Sequence, residues 1–189
     1  MDNAKAEKTG TDTNKVRSYI ALALVGLAAV LLVAWLVSGD DDDSSATDSG
    51  AATIVSAEEL EDAVADDAEP VYWAGEQEGA ELELSRPEEG RTFVRYLTDG
   101  ADAGDPRAEF LTVGTYVQPE AVKALRGQAK EANGVLGTAP GKGVVYFNRD
   151  QPASVYLAYP GVDVQIEVFD PSFTRALQLV NSGQIVPVG

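Results

Sequence analysis

The sequence predicts an α+β domain carried behind a single transmembrane helix, and three observations point that way. Short runs of alternating apolar residues recur between turns rich in Pro and Gly, the pattern of strands joined as hairpins. Between them, three stretches repeat apolar residues at helical spacing. One uncharged run, Ser18 to Gly39, is longer than any strand or core helix of a small domain requires. Strands in adjacent hairpins broken by helices imply a two-layer arrangement, a mostly antiparallel sheet with about three helices on one face.

The apolar run comes first in the chain. Its 22 residues make a helix of about 33 Å, matched to a hydrocarbon core of about 30 Å. Ala, Leu, Val and Ile surround the whole helix, and Tyr19 and Trp35 stand near its two ends, where aromatic rings settle at a membrane interface. Lys5, Lys8, Lys15 and Arg17 precede it, and no Lys or Arg follows before Arg86, which keeps the N-terminus in the cytoplasm and the C-terminal part outside. Val37-Ser38-Gly39 offers small residues that a signal peptidase accepts, but the apolar part of a signal peptide runs only about 7–15 residues, so a permanent anchor is expected. With no cysteine in the chain, neither a lipid anchor on sulfur nor a disulfide is available. The expected divisions are a cytoplasmic tail (1–17), the transmembrane helix (18–39), an acidic disordered linker (40–53) and an extracytoplasmic α+β domain (54–189).

Charge divides the same way. The net charge of −17 splits into +1 before Gly39, −12 from Asp40 to Glu69 and −6 from Pro70 onward. The excess acidity therefore belongs to the membrane-proximal segment, where "DDDDSSATDSGAAT" repels itself and has almost nothing to bury. Such a stalk disfavours nucleic acid and anionic lipid surfaces as partners. The bilayer itself, met through the N-terminal helix, is the expected lipid contact.

The domain's elements follow in order. Ser56 with Glu59 forms a capping box and Val55 with Leu60 a hydrophobic staple, which starts a first helix at Ala57 and runs it to about Asp67, before Pro70. "VYW" at Val71 to Trp73 reads as a short strand, with Val71 and Trp73 as the buried pair. "AELELSR" and "RTFVRYL" flank "PEEG" as a hairpin, and "FLTVGTYV" adds a strand. Pro119 at the first helical position opens a second helix with Val122, Leu125 and Ala129 as its apolar stripe. "GVVYFN" is another strand. In "SVYLAYPGVDVQIEVF", pairing Ala158 with Asp163 sets Leu157 opposite Val164 and Val155 opposite Ile166, with Ser154, Tyr156, Gln165 and Glu167 on the other face. Asp170-Pro171 starts a last helix with Phe173, Ala176, Leu177 and Val180 buried, Gly183 stops it, and "IVPV" closes the chain as a strand. A helix followed by several strands occurs twice, but no fixed period accompanies it.

The chemical inventory is mainly exclusions. Without histidine or cysteine the chain has no Ser-His-Asp or Cys-His nucleophile, no imidazole base and no ordinary zinc site. No Ser-x-x-Lys occurs. A carboxylate pair is the catalytic device left open, since glycoside hydrolysis needs only two acids about 5–9.5 Å apart. "GTAPGKG" lacks the spacing and the Ser or Thr of a phosphate-binding loop. Asp99, Asp102 and Asp105 stand three apart, whereas calcium loops place ligands two apart; a polar turn is expected there, with a cation left open. Lys123, Arg126 and Lys130 share one flank of the second helix, a solvated edge or a site for an anionic group such as a wall polymer. Tyr72 and Trp73 are candidate contacts because aromatic rings anchor partners as well as cores.

"PVYWAGEQEGAELELSR", "GRTFVRYLTDG", "FLTVGTY" and "SVYLAYPG" resemble segments of a group of uncharacterised bacterial single-pass membrane proteins with a YWAG-type extracytoplasmic domain. The resemblance covers roughly Ile54 to the C-terminus. It implies the same architecture and, the group having no assigned activity, carries over no site residue. The expected function is a membrane-anchored binding or scaffolding module without catalysis or cofactor, its partner another envelope protein or a wall polymer. The alternative is an envelope polysaccharide hydrolase using a carboxylate pair.

Overall fold

The computed structural model describes residues 50–130, 133–150 and 152–189. The expected cytoplasmic tail, transmembrane helix and most of the acidic linker lie outside the described residues. Among those described, no helix is long and apolar enough to cross a membrane.

The domain is α+β, with three helices and a mostly antiparallel sheet. Its elements are β1 (Thr53–Val55), α1 (Ala57–Val64), β2 (Tyr72–Trp73), β3 (Glu81–Ser85), β4 (Arg91–Leu97), β5 (Leu111–Val117), α2 (Ala121–Gln128), β6 (Gly134–Ala139), a 3₁₀ turn (Pro140–Lys142), β7 (Gly143–Asn148), β8 (Ser154–Ala158), β9 (Val164–Phe169), α3 (Phe173–Ser182) and β10 (Val186–Pro187). Eight strands form one sheet in the order β1-β3-β4-β5-β9-β8-β7-β6, every neighbour antiparallel. β10 pairs with β2 as a separate ribbon. Two meanders thus meet at the β5–β9 pair.

One face of the sheet carries the main core. Leu84, Val94, Val113, Val168, Ile166, Leu157, Val155 and Val145 lie on it across successive strands, under Leu60 and Val64 of α1, Ala176, Leu179 and Val180 of α3, and Val71, Tyr72 and Ile185 of the ribbon. The capping box forms as expected: Ser56 Oγ accepts from Glu59 N–H at 3.2 Å, and Glu59 accepts from Ser56 N–H at 2.7 Å. α1 ends earlier than expected, at Val64, with Asp67 closing a turn back to its carbonyl. Gly183, at φ 76, terminates α3 in the left-handed conformation that spares a glycine any side-chain penalty.

Three expectations are corrected. The helices do not share one face: α2 packs on the opposite, outer face, where Ala121 and Leu125 cover Val144, Tyr146, Tyr156 and Ala158. Here the domain has three layers. The turn after β5 sends the chain over the sheet end, since Gln118 N–H donates to the Asp163 carbonyl and Glu120 takes φ 56. Pro119 accordingly precedes the helix, and Ala121 and Leu125 are its most buried residues, with Val122 and Ala129 half-buried. Second, the β8–β9 register lies two residues further along β9, with Leu157 opposite Ile166 and Val155 opposite Val168. Tyr159-Pro160-Gly161-Val162 closes a turn by itself, with Gly161 at φ 80, and Asp163 leaves the hairpin to serve Gln118 and Glu120. A shift of two preserves the faces, because strand side chains alternate with period two. Third, Val71 and Tyr72 are buried while Trp73 is half-buried, packed against the core from the ribbon opposite Val186.

The outer face of the β3–β4–β5 half is sealed by the loop from Thr98 to Glu109. Arg95 and Glu83 are cross-strand neighbours joined at 2.8 Å, their side chains 3% and 0% exposed. Arg95 also donates to the carbonyls of Asp105 and Arg107, while Glu83 accepts from Gly104 N–H. The Phe110 ring stacks under both Arg95 and Arg107.

Candidate functional site

α2 and the β8–β9 turn border a groove of about 800 Å³, lined by Lys123, Arg126 and Lys130 on the helix side and Tyr159, Gly161 and Val162 on the turn side. Its geometry follows from how the helix begins. Asp163 Oδ1 accepts the Glu120 N–H at 3.1 Å, so the turn holds the first turn of α2 directly. With Ala121 and Leu125 facing the sheet, helical spacing leaves Lys123, Arg126 and Lys130 on the flank toward the turn. Lys123 pairs with Glu120 at 2.7 Å, both well exposed, a contact of at most about 1 kcal/mol. Among the described residues Arg126 and Lys130 form no ion pair.

Tyr159 forms the opposite wall. Its ring stacks on Tyr72 with centroids 5.8 Å apart and planes 11° from parallel. A side chain at Gly143 would press on it at 3.1 Å, so glycine there leaves the ring its place. Partial burial raises the phenol pKa of both tyrosines, so each stays neutral at physiological pH. Tyr72 is itself buried and its N–H donates to Thr115 Oγ1. It backs Tyr159 from beneath. The structure thus brings Lys123, Arg126 and Lys130 together on one groove and links Tyr72 to it through Tyr159, while Trp73 stands apart in the ribbon. Tyr159 was not among the sequence candidates; the signal that marks it is an aromatic residue immediately before a Pro-Gly turn.

A second groove, of about 950 Å³, lies between the β3–β4 turn and the segment after α1, and gathers acids: Asp67, Glu69, Glu88 and Glu89. Two of them are taken by arginines on the same rim, Asp67 by Arg86 at 2.9 Å and Glu88 by Arg91 at 3.2 Å. The three buried carboxylates among the described residues, Glu83, Glu167 and Asp170, line neither groove. Glu167, 1% exposed, lies on the outer face between loop and helix and accepts from Tyr116 at 2.7 Å and Tyr156 at 3.2 Å, with Ser154 as a third donor. Burial raises its pKa, against the pull of those hydroxyls.

Of the three aspartates after β4, Asp105 is committed to Arg107, which bonds both its oxygens at 2.8–3.0 Å and holds its pKa down at about 2. Among the described residues no three acids converge as a metal site. "GTAPGKG" is the end of β6 and its 3₁₀ turn into β7. Comparison with protein-family models, with curated proteins and with solved structures finds no match to this chain.

Proposed function

We propose that the chain is a single-pass membrane protein, N-terminus cytoplasmic, whose α+β domain outside the membrane binds an anionic partner in the groove of Lys123, Arg126, Lys130 and Tyr159. The observation that carries this reading is the pairing of three cations, two of them without an ion pair among the described residues, with a fixed aromatic wall. Cations attract phosphate or carboxylate groups, and a stacked tyrosine offers a flat apolar surface to a sugar ring or side chain. A wall polymer bearing anionic groups has that chemistry. The resemblance to YWAG-type membrane proteins supports the same architecture.

The acidity of the chain is compatible with such a partner. Described residues enter the sheet at β1, four to five strands from the groove, about 20 Å at the usual strand spacing. That exceeds a Debye length of about 8 Å at physiological ionic strength, so charges at the β1 edge are largely screened there. Polysaccharide hydrolysis is the weaker reading, because the acid-bearing groove has two of its carboxylates held by arginines.

The test uses the full chain in zwitterionic nanodiscs, titrated with poly(glycerol phosphate) and with neutral dextran. The charged polymer should bind, more weakly as salt rises, and the combined Lys123→Gln, Arg126→Gln, Lys130→Gln variant should lose at least about tenfold, or 1.4 kcal/mol. Equal binding of dextran, no effect of the variant, or release of reducing ends would overturn the proposal.

A further inference from the structure

The way the chain reaches the domain bears on what the groove of Lys123, Arg126 and Lys130 holds. β1 starts with Thr53 opposite Leu84, β4 starts with Arg91 opposite Tyr116, and Val117 at the end of β5 stands opposite Val164. The start of β1, the β3–β4 turn, the β8–β9 turn and the first turn of α2 therefore share one end of the sheet. Gly50 lies against that end, since a side chain there would meet the Arg86 carbonyl oxygen and the Pro87 Cα at 3.2 Å. The acidic stretch thus joins the domain at the same end as the groove.

Distance permits contact between them. Four strand steps separate β1 from β9, and one layer separates the sheet from α2, which together make roughly 22 Å at about 4.8 Å per step and about 10 Å per layer. Asp43 to Asp40 precede Gly50 by seven to ten residues, which span up to about 23–36 Å when extended. Asp48 is too close to Gly50 to reach.

Charge selects where the four aspartates settle. Arg86 and Arg91 stand nearer to Gly50 but are already paired, with Asp67 and Glu88. Lys123 has Glu120, whereas Arg126 and Lys130 form no ion pair among the described residues. Carboxylates crowded in sequence gain most from cations that no other acid holds. Attachment to the same chain also supplies a local concentration of the order of millimolar, which fills a site too weak to hold the same segment as a separate molecule.

We propose that Asp40–Asp43 of the same chain occupy the groove until an anionic partner displaces them. The proposal rests on the groove being an anion site and adds its regulation: the stalk sets a threshold that a partner has to exceed.

The test places one full-length chain in each zwitterionic nanodisc, so that only its own stalk is within reach. Spin labels on Ser44→Cys and Gly127→Cys report the contact, because the chain has no other cysteine and a side chain at Gly127 meets nothing within 4 Å. The distance between the labels should lengthen in about 1 M salt, on addition of poly(glycerol phosphate), and when Asp40, Asp41, Asp42 and Asp43 are all changed to Asn. Without labels, that Asn variant should bind poly(glycerol phosphate) at least about fivefold more tightly than wild type. A control carrying Glu58→Gln, Glu61→Gln, Asp62→Asn and Asp66→Asn, which removes as many exposed acids from α1 and the turn after it, should not. A label distance indifferent to salt and to the Asn variant overturns the docking, whatever the polymer does. An unchanged affinity in the Asn variant, or an equal gain in the control, overturns the competition. If neither chain binds the polymer while the labels still separate, the external anionic partner falls and the docking of the stalk stands.

Discussion

The outer face of the sheet is covered in two different ways. Over β3 and β4 the cover is a loop, and what lies beneath is an ion pair, Arg95 with Glu83, bonded back to loop carbonyls and a loop N–H. Over β7 and β8 the cover is α2, and what lies beneath is apolar: Leu125 and Ala121 on Val144, Tyr146, Tyr156 and Ala158. Apolar burial tolerates rearrangement because it has no direction. A buried ion pair does not, since its members recover their hydration cost only when every partner is in place. The loop side should therefore be brittle and the helix side yielding.

The largest test of that contrast is Arg95→Ala, which strands Glu83 in the interior and should cost about 3–5 kcal/mol in urea unfolding. Adding Glu83→Leu should recover most of the loss, because an apolar pair removes the uncompensated charge. Hydrogen exchange at Gly104 should nevertheless be faster in the double variant than in wild type, its acceptor being gone. Failure of the double variant to recover would mean that the pair supports more than its own charges.

Next in size, Leu125→Ala should cost about 2–5 kcal/mol, toward the lower end if α2 settles onto the sheet. The slack should appear as weaker exchange protection in α2 alone, with the loop unaffected. A loss spread equally over both halves of the face would erase the distinction.

The smallest effect concerns the boundary, where Glu167 lies between the two covers. Its folded pKa is raised by burial above the ordinary 4.5, so it favours the native state at low pH and disfavours it as pH rises through the folded value. Lowering the pH from 7 toward 4.5 should stabilise the wild type relative to Glu167→Gln. Asp105 works in the other direction: Arg107 depresses its pKa to about 2, so its contribution is present above about 4 and is lost between there and 2. Melting temperatures of Glu167→Gln and Asp105→Asn against pH should diverge from wild type in opposite senses.

The contrast also explains which parts of the fold were legible in the sequence. α1 was announced by Ser56 and Glu59, the β3–β4 hairpin by its Pro-Glu-Glu-Gly turn and the end of α3 by Gly183, all devices acting within a few residues. The side of the sheet taken by α2 and the β8–β9 register were not, because both depend on Asp163 bonding to Gln118 and Glu120, over forty positions away. Glu83 and Arg95 alternate with apolar neighbours and so read as a solvated face; only the loop, closing over them, buries them. At the groove, Lys123, Arg126 and Lys130 declare themselves by helical spacing. Tyr159 becomes a wall only through its stacking on Tyr72, a contact across 87 positions of chain.

The small β2–β10 ribbon has a consequence for synthesis. Val186 and Pro187 close on Trp73 and Tyr72, more than a hundred residues upstream, and Val188 N–H bonds to the Val71 carbonyl. Together with Ile185 they cap the main core, so a nascent chain that has not yet reached residues 185–188 leaves Tyr72 and the surface beneath it open to water. Hairpins such as β3–β4 close early and locally, but this late, long-range contact has to wait until residues 185–188 have left the ribosome. Completion of the domain is thereby tied to the arrival of residues 185–188, and a product that stops short of them should be soft, sticky and readily cut by proteases.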